Sequence, residues 1–287
     1  MSRQQVARLA NGRLHLNDGP IDLVIACEGR REDVERAERA AIDRFATVLG
    51  ELCAELALLR APPGLRPEGP VALLMWRATA PFAGEVFITP MAAVAGSVAE
   101  EILAAMTQAA PLARAMVNNG GDVAFHLAAG QRYRLGLMDR PDSPMLFGTA
   151  EIAAEDSVRG VATSGWRGRS FSFGVADAVT VLADRASLAD AAATLIANAV
   201  DLPGSCEIAR SPARDLAPDS DLGERLVTVG VGPLGPSEIE KALEAGAVQA
   251  RAFLGRGLIA ACALHLSGVT RTVGAELPSR PELLVHA

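Results

Sequence analysis

Three short stretches carry residue types that could do chemistry. Asn118-Asn119-Gly120-Gly121-Asp122 joins two consecutive glycines to a carboxylate. Paired glycines allow a turn that side chains would make costly, and they let the main chain approach a ligand closely. Such a turn can offer backbone N–H groups to a phosphate and the Asp122 carboxylate to a ribose or a metal. The same residues are also a plain hairpin turn, because Asn-Gly between two strands is a strong hairpin signal. The second stretch is Asp190 to Thr194, whose two named residues lie four apart and so share one helix face. A carboxylate and a hydroxyl one turn apart can ligate the same hard cation, with phosphate oxygens and water completing the shell. Ser187 and Asp190 also have capping-box spacing, with Asp in place of Glu, which would make Asp190 structural. The third stretch, Thr163-Ser164-Gly165-Trp166-Arg167-Gly168-Arg169, has hydroxyls, glycines and two arginines. It reads as a phosphate or ribose contact or as a solvated loop. His126, beside the glycine turn, has no partner visible in the sequence and is read as structural. There is no G-x-S-x-G and no P-loop.

These residues need elements to position them. Arg13–Leu16 and Ile21–Ala26 read as strands joined by a turn at Asp18-Gly19-Pro20. A long helix is expected from Glu32 to Leu59, because Ile42, Phe45, Leu49, Leu52, Leu56 and Leu59 recur near a 3.6-residue period. A Pro/Gly-rich connector follows. Val71–Trp76 reads as a buried strand and Glu85–Ile88 as another. Thr89-Pro90 opens a helix from Met91 to about Gln108, rich in small residues that permit close packing. The glycine turn comes next, then strands Val123–Ala128 and Gln131–Met138, a loop over Asp139–Ser143, and two or three strands between Met145 and Ala183. A helix from Ser187 to about Val200 carries Asp190 and Thr194. Ser211–Gly223 reads as an exposed loop and Leu226–Val231 as a strand. A helix over Ser237–Leu254 has Ser237 and Glu240 in capping-box spacing, and Leu258–Leu266 with Val269–Val273 form a final strand pair. Many strands and four helices without strict alternation give an α+β fold with mixed or antiparallel sheets and packed helices.

Composition narrows the function classes. At 287 residues and 50% hydrophobic, the chain can bury a large core. A net charge of −7, with no basic stripe interleaved with aromatics, argues against a nucleic-acid partner. Cys27, Cys53, Cys206 and Cys262 form no C-x-x-C pair, so a zinc cluster is not expected. Cys27, Cys53 and Cys262 are expected to be buried thiols, and Cys206, in a loop, to be exposed. No apolar stretch is long enough for a membrane span, and no signal peptide is visible, so a soluble cytoplasmic protein is expected. Helices of small residues would permit a homo-oligomer.

Taken in order, the motifs resemble the ApbE family, the FAD:protein FMN transferases. Its members carry a helix with a Gly-Ala-Ile-Ala-Lys-Gly-like core, a Gly-Gly-Asp turn, an Ala-Thr-Ser-Gly loop and an Ala-Asp-Ala-x-Ala-Thr helix. This chain has Met91-Ala92-Ala93-Val94-Ala95-Gly96, Asn119-Gly120-Gly121-Asp122, Ala162-Thr163-Ser164-Gly165 and Ala189-Asp190-Ala191-Ala192-Ala193-Thr194 in that order. Gly19-Pro20-Ile21-Asp22 and Thr89-Pro90-Met91-Ala92 look more like a shorter, largely uncharacterised ApbE-like subgroup. The resemblance implies a single ApbE-like domain of two subdomains, with a flavin nucleotide, FAD or FMN, in a central crevice and Mg²⁺ at its pyrophosphate. It implies that Ala92, Asp190 and Thr194 hold the metal. Asn119, Gly120, Gly121, Asp122, Thr163, Ser164 and Gly165 would line the nucleotide. The implied reaction moves FMN from FAD onto a threonine of a protein acceptor. Two departures bear on it. Ala95 stands where the family has a lysine, and Phe171-Ser172-Phe173-Gly174 occupies the region of the family's Asp-Pro-Arg-Thr-Gly segment. The alternatives are a non-catalytic binding or accessory protein in cofactor or sulfur metabolism, and an enzyme acting on another phosphorylated small substrate.

Overall fold

The structure is a computed structural model that describes residues 4–138 and 146–274. The expected loop over Asp139–Ser143 lies outside the described residues. The first half of the chain runs β1 (Gln5–Arg8), β2 (Leu14–Asp18), β3 (Ile21–Glu28), α1 (Arg31–Ala54), α2 (Leu56–Leu59), α3 (Pro70–Thr79), α4 (Val94–Ala109), β4 (Arg114–Asn119) and β5 (Asp122–Leu127). The second half runs β6 (Arg132–Met138), β7 (Leu146–Ala153), β8 (Gly160–Ser164), β9 (Ala178–Ala183), α5 (Ala186–Ala199), β10 (Ile208–Pro212), α6 (Ala213–Leu216), β11 (Leu226–Val231), α7 (Pro236–Gly255), β12 (Ala261–Leu266) and β13 (Val269–Val273). The fold is α+β with largely antiparallel pairing.

The chain divides into two compact units. The first comprises residues 1–131, 154–162 and 182–191. Here β1 to β5 pair antiparallel in chain order, and β8 joins β5 at Val123↔Val161 and Ala124↔Gly160. Alternation decides the faces: Leu14 and Leu16 on β2, and Ile21, Leu23 and Ile25 on β3, are buried while their neighbours are not. Helices α1, α3 and α4 pack together, and α4 lies on β4 and β5. Phe45 of α1, Met75 of α3, and Ile102 and Met106 of α4 are fully enclosed.

The second unit comprises residues 132–153, 163–181 and 192–287. It contains the β6–β7 hairpin, the β10–β11 ribbon and the neighbouring strands β9, β12 and β13. Helix α7 packs on β12 and β13. A Cβ at Gly246 of α7 would lie 2.3 Å from Val200 Cγ2, so this helix sits close because its contact residue has no side chain.

Several expectations are corrected. Val71–Trp76 is not a strand but part of α3, which opens with Pro70 at its first position. Its buried residues, Val71, Ala72, Met75, Ala78 and Thr79, fall at helical spacing, and a short apolar run alone does not separate buried helix from buried strand. Glu85–Ile88 is turn and irregular chain, following Gly84 at φ +86°. The helix expected over Glu32–Leu59 breaks at Glu55. That side chain accepts the N–H groups of Glu68 at 2.7 Å and Gly69 at 2.8 Å, which ties the break to the connector. Cys53 is exposed, one position past the buried stripe that ends at Leu52. Cys27 is only half-buried, whereas Cys262 is buried and Cys206 exposed as expected. Burial raises the Cys27 thiol to about 11. The polar stretch Ser211–Gly223 includes the end of β10 and all of α6. The cap of α7 lies two residues earlier than expected: Glu238, not Glu240, reaches back, accepting the Gly235 N–H at 2.9 Å. Strand β1 was not anticipated, because its four residues are all exposed and carry no alternation.

Candidate functional site

The glycine stretch is a two-residue hairpin loop. Asn119 and Asp122 stand opposite each other across β4 and β5. Between them Gly120 has φ +66° and Gly121 +116°, the positive angles that a type I′ turn demands at both central positions. The Gly121 N–H donates to Asn118 Oδ1 at 2.8 Å, which closes the turn on itself. The hairpin therefore fixes a pair of side chains, since opposed residues project from one face of the ladder. On that face Asn119 is buried, and its Nδ2 donates to the Ala95 carbonyl of α4 at 3.2 Å. The turn and the start of α4 are thus tied together.

The other partner of this helix start is Asp190. Helix α4 has no side-chain cap of its own. Its Gly96 N–H donates instead to Asp190 Oδ2 at 2.9 Å, so a carboxylate from α5 caps α4 from outside. A Cβ at Gly96 would lie 2.3 Å from the Ala186 carbonyl oxygen and 3.0 Å from Asp190 Cβ. Glycine is what lets the two helices come this close. The capping-box reading of Ser187 and Asp190 does not hold. Helix α5 already includes Ala186, and the Ser187 hydroxyl donates to Glu100 Oε2 of α4 at 2.8 Å. Each helix start therefore meets a carboxylate from the other helix.

The electrostatics single out Asp190. Burial, and next the Asp122 carboxylate, hold its carboxyl well above the usual carboxylate range. The N–H groups of Gly96 and Ala95 pull the other way and are outweighed. Two carboxylates beside main-chain groups suit a hard divalent cation. Mg²⁺ commonly takes one or two carboxylates and fills its remaining positions with water and substrate phosphates. Among the described residues no group of three or more His, Cys, Asp or Glu could hold a metal, so an all-side-chain cage is not what this donor set offers.

Ala92, Asn119, Gly120, Gly121, Asp122 and Asp190 all belong to the first unit. Ala92 lies in the 3₁₀ turn Pro90–Ala93 that leads into α4, with its N–H on the Thr89 carbonyl at 3.1 Å. Sequence reasoning passes over Ala95 as a replaced lysine and does not foresee Gly96 as the donor to Asp190. A glycine inside an alanine-rich helix was the available signal, because it weakens a helix unless something needs the space. Thr163, Ser164, Gly165 and Thr194 belong to the second unit. Thr194 stays four residues beyond Asp190 on α5. Thr163 Oγ1 meets Thr180 Oγ1 at 2.9 Å. A Cβ at Gly165 would lie 2.4 Å from the Asp177 carbonyl oxygen, and the Trp166 N–H donates to Ala176. The Arg167 guanidinium lies over Trp166 and donates to Asp177 at 3.0 Å. That loop is knitted to the 176–177 segment rather than open as a solvated loop. His126 has the structural place expected of it, with Nε2 at 3.2 Å from the Leu112 carbonyl. No helix among the described residues is long and apolar enough to cross a membrane.

Comparison with known proteins adds a family. Residues 5–272 match the family model described as AbpE bacteria. A UPF0280 protein of Methanopyrus kandleri is 47% identical over 130 residues, covering 45% of this chain and 48% of that protein. A UPF0280 protein of Methanothermobacter thermautotrophicus is 38% identical over 168 residues, covering 54% of this chain and 62% of that protein. The chain spans about half the length of the curated relatives it matches. Among solved structures, the apo form of the flavinyl transferase ApbE of Pseudomonas stutzeri superposes with a TM-score of 0.39 at 13% identity, over 94% of each chain. The flavin transferase ApbE of Vibrio cholerae gives 0.36 at 13% identity, over 94% of this chain and 96% of that one.

Proposed function

The chain belongs to the AbpE bacteria family, and from that premise we propose that it is an ApbE-like protein that binds a flavin nucleotide, FAD or FMN, together with Mg²⁺. One observation carries this more than any other. Three motifs that lie far apart in the sequence meet within one unit: Asn119 holds the Ala95 carbonyl, Gly96 donates to Asp190, and the charge of Asp122 acts on Asp190. Structural capping explains the bond from Gly96 but not the second carboxylate.

In this proposal Asp190, with the Thr194 hydroxyl and the Ala92 carbonyl, holds the metal. The turn Asn119–Asp122 and the residues Thr163, Ser164 and Gly165 line the nucleotide. Bound Mg²⁺ would supply positive charge to pyrophosphate oxygens. The chain's own part is positional. The Gly96 N–H orients the Asp190 carboxylate, and the Asn119 amide holds the start of α4 against the hairpin.

We assign binding first and transfer of FMN to a protein threonine second. The chain has Ala95 in place of the helix lysine. In the region of the missing Asp-Pro-Arg-Thr-Gly segment, Asn198 Oδ1 accepts from Ser172 Oγ at 3.1 Å and from the Phe173 N–H at 2.9 Å, and Arg210 donates to the Phe173 carbonyl. Those side chains hold the segment in shape; it is the replaced lysine and the missing segment that favour a binding protein or an enzyme with another phosphorylated substrate over an FMN transferase.

The test is equilibrium dialysis of FAD and FMN against the wild type and Asp190→Ala, with Mg²⁺ and then with EDTA. Flavin binding that needs both the metal and Asp190 is the expected result. Flavin binding unchanged in Asp190→Ala would leave that residue a helix cap and remove the basis for this site. Release of AMP from FAD in the presence of a threonine-bearing acceptor separates transferase from binder.

A further inference from the structure

We propose that Asp122 is a cation ligand alongside Asp190, so that the divalent ion is held between the glycine hairpin and α5 rather than by α5 alone. This rests on the metal half of the function proposed above. It changes the role of Asp122, which the motif resemblance places against the nucleotide.

The geometry leads there in three steps. Asn119 and Asp122 are opposed across a two-residue loop, so their side chains leave one face of the hairpin together. Asn119 on that face reaches the Ala95 carbonyl at 3.2 Å. The next residue, Gly96, donates to Asp190 at 2.9 Å. Asp122 is therefore brought to the same helix start as Asp190 by main-chain register and two hydrogen bonds, independently of any charge consideration. Two carboxylates leave positions on a six-coordinate Mg²⁺ for water and for phosphate oxygens. The Asn118 side chain, which closes the turn, would position Asp122 without touching the ion.

A ribose contact and a metal contact differ in what they need. A ribose acceptor matters only when nucleotide is present. A metal ligand matters with the ion alone. The experiment is Mn²⁺ binding to the full chain without nucleotide, followed by electron paramagnetic resonance, for the wild type, Asp122→Asn, Asp122→Glu and Asp190→Asn. Asp43→Asn, an exposed acid of α1, is the control. We expect Asp122→Asn and Asp190→Asn each to lose Mn²⁺ affinity by about tenfold or more. Asp122→Glu should recover part of it, and the control should match the wild type. The melting temperature of the metal-free Asp122→Asn protein should hold or rise, because a like charge acting on Asp190 is removed. A merely structural Asp122 would lower it. Should the Asn variant not fold, Asp122→Ser gives the same comparison.

If Asp122→Asn binds Mn²⁺ as the wild type does while Asp190→Asn does not, Asp122 is no ligand and the metal at Asp190 survives. If the wild type binds no Mn²⁺, this proposal and the metal site both fall. Mn²⁺ binding that depends on both aspartates, without any flavin binding, would sustain this proposal and overturn only the choice of nucleotide.

Discussion

Helices α4 and α5 exchange carboxylates, and the two exchanges are built differently. Glu100 of α4 receives the Ser187 hydroxyl at the start of α5 and is also paired with Arg185. Asp190 of α5 receives the Gly96 N–H at the start of α4, and the charge acting on it is the like charge of Asp122. Both are carboxylates at a helix N-terminus, where the macrodipole favours negative charge. At Glu100 a guanidinium balances the anion. At Asp190 burial, and next a second anion, make the carboxyl resist ionisation. A structure that needed only a cap had an arginine-neutralised example one turn away in α4. On the function proposed above, a cation at Asp190 would balance that end as Arg185 balances the other.

The most severe way to break the comparison is Gly96→Ala, which attacks both exchanges at once. The added methyl would fall 2.3 Å from a main-chain oxygen of Ala186, and main chain does not yield as a flexible side-chain end would. We expect a loss of about 1–3 kcal/mol in stability by denaturant unfolding, together with loss of metal binding. Wild-type stability in this variant would mean that the helices can separate without cost.

Asp190 can then be divided into cap and charge. Asp190→Asn keeps an oxygen for the Gly96 N–H and removes the charge. It should lose metal-dependent binding with little change in stability. Asp190→Ala removes both and should cost about 1 kcal/mol more than the Asn variant, as a lost cap does. Equal stability of the two would show that the Gly96 bond contributes nothing. Glu100→Gln is the matching change at the balanced end. It removes the pairing with a half-exposed Arg185, worth about 0.2–1 kcal/mol, and should leave metal and nucleotide binding as in the wild type. A loss of binding there would erase the distinction between the two ends.

Much of this was legible in the sequence, and particular residues show why the rest was not. Asn-Gly-Gly-Asp announced a hairpin because the chemistry of the turn is local: two positive φ angles need glycine. Asp190 and Thr194 announced a shared face of a helix for the same reason. Ser187 and Asp190 satisfy a local spacing rule, but their actual partners, Glu100 and Gly96, lie far away in sequence. Val71–Trp76 reads as a strand because a short, wholly apolar run carries no period. Only Pro70 at its head, and the spacing of what becomes buried, identify it as α3. The loop at Thr163–Arg169 has the residue types of a phosphate contact, yet Arg167 is paired with Asp177, a tertiary choice that no spacing announces.

The smallest expected effect is the pH dependence of the metal-free protein, and its sign is specific. Asp190 has a folded-state pKa above its unfolded value, so in the window between them the native state binds more protons than the unfolded chain. Stability should then fall as pH rises from the ordinary carboxylate value toward the raised one. Asp33, Glu35, Glu51 and Glu244 are shifted down and contribute the opposite slope, losing stability as pH falls. The total curve therefore hides the Asp190 contribution, and the difference between wild type and Asp190→Asn exposes it. In EDTA that difference in melting temperature should move against the wild type as pH rises above the ordinary carboxylate value. Saturating Mg²⁺ should remove the drift, because an ion that holds the ionised carboxylate takes away the reason for its raised pKa. A flat difference in EDTA would mean that neither burial nor the Asp122 charge raises the Asp190 carboxyl. The two ends of the helix pair would then be electrostatically alike.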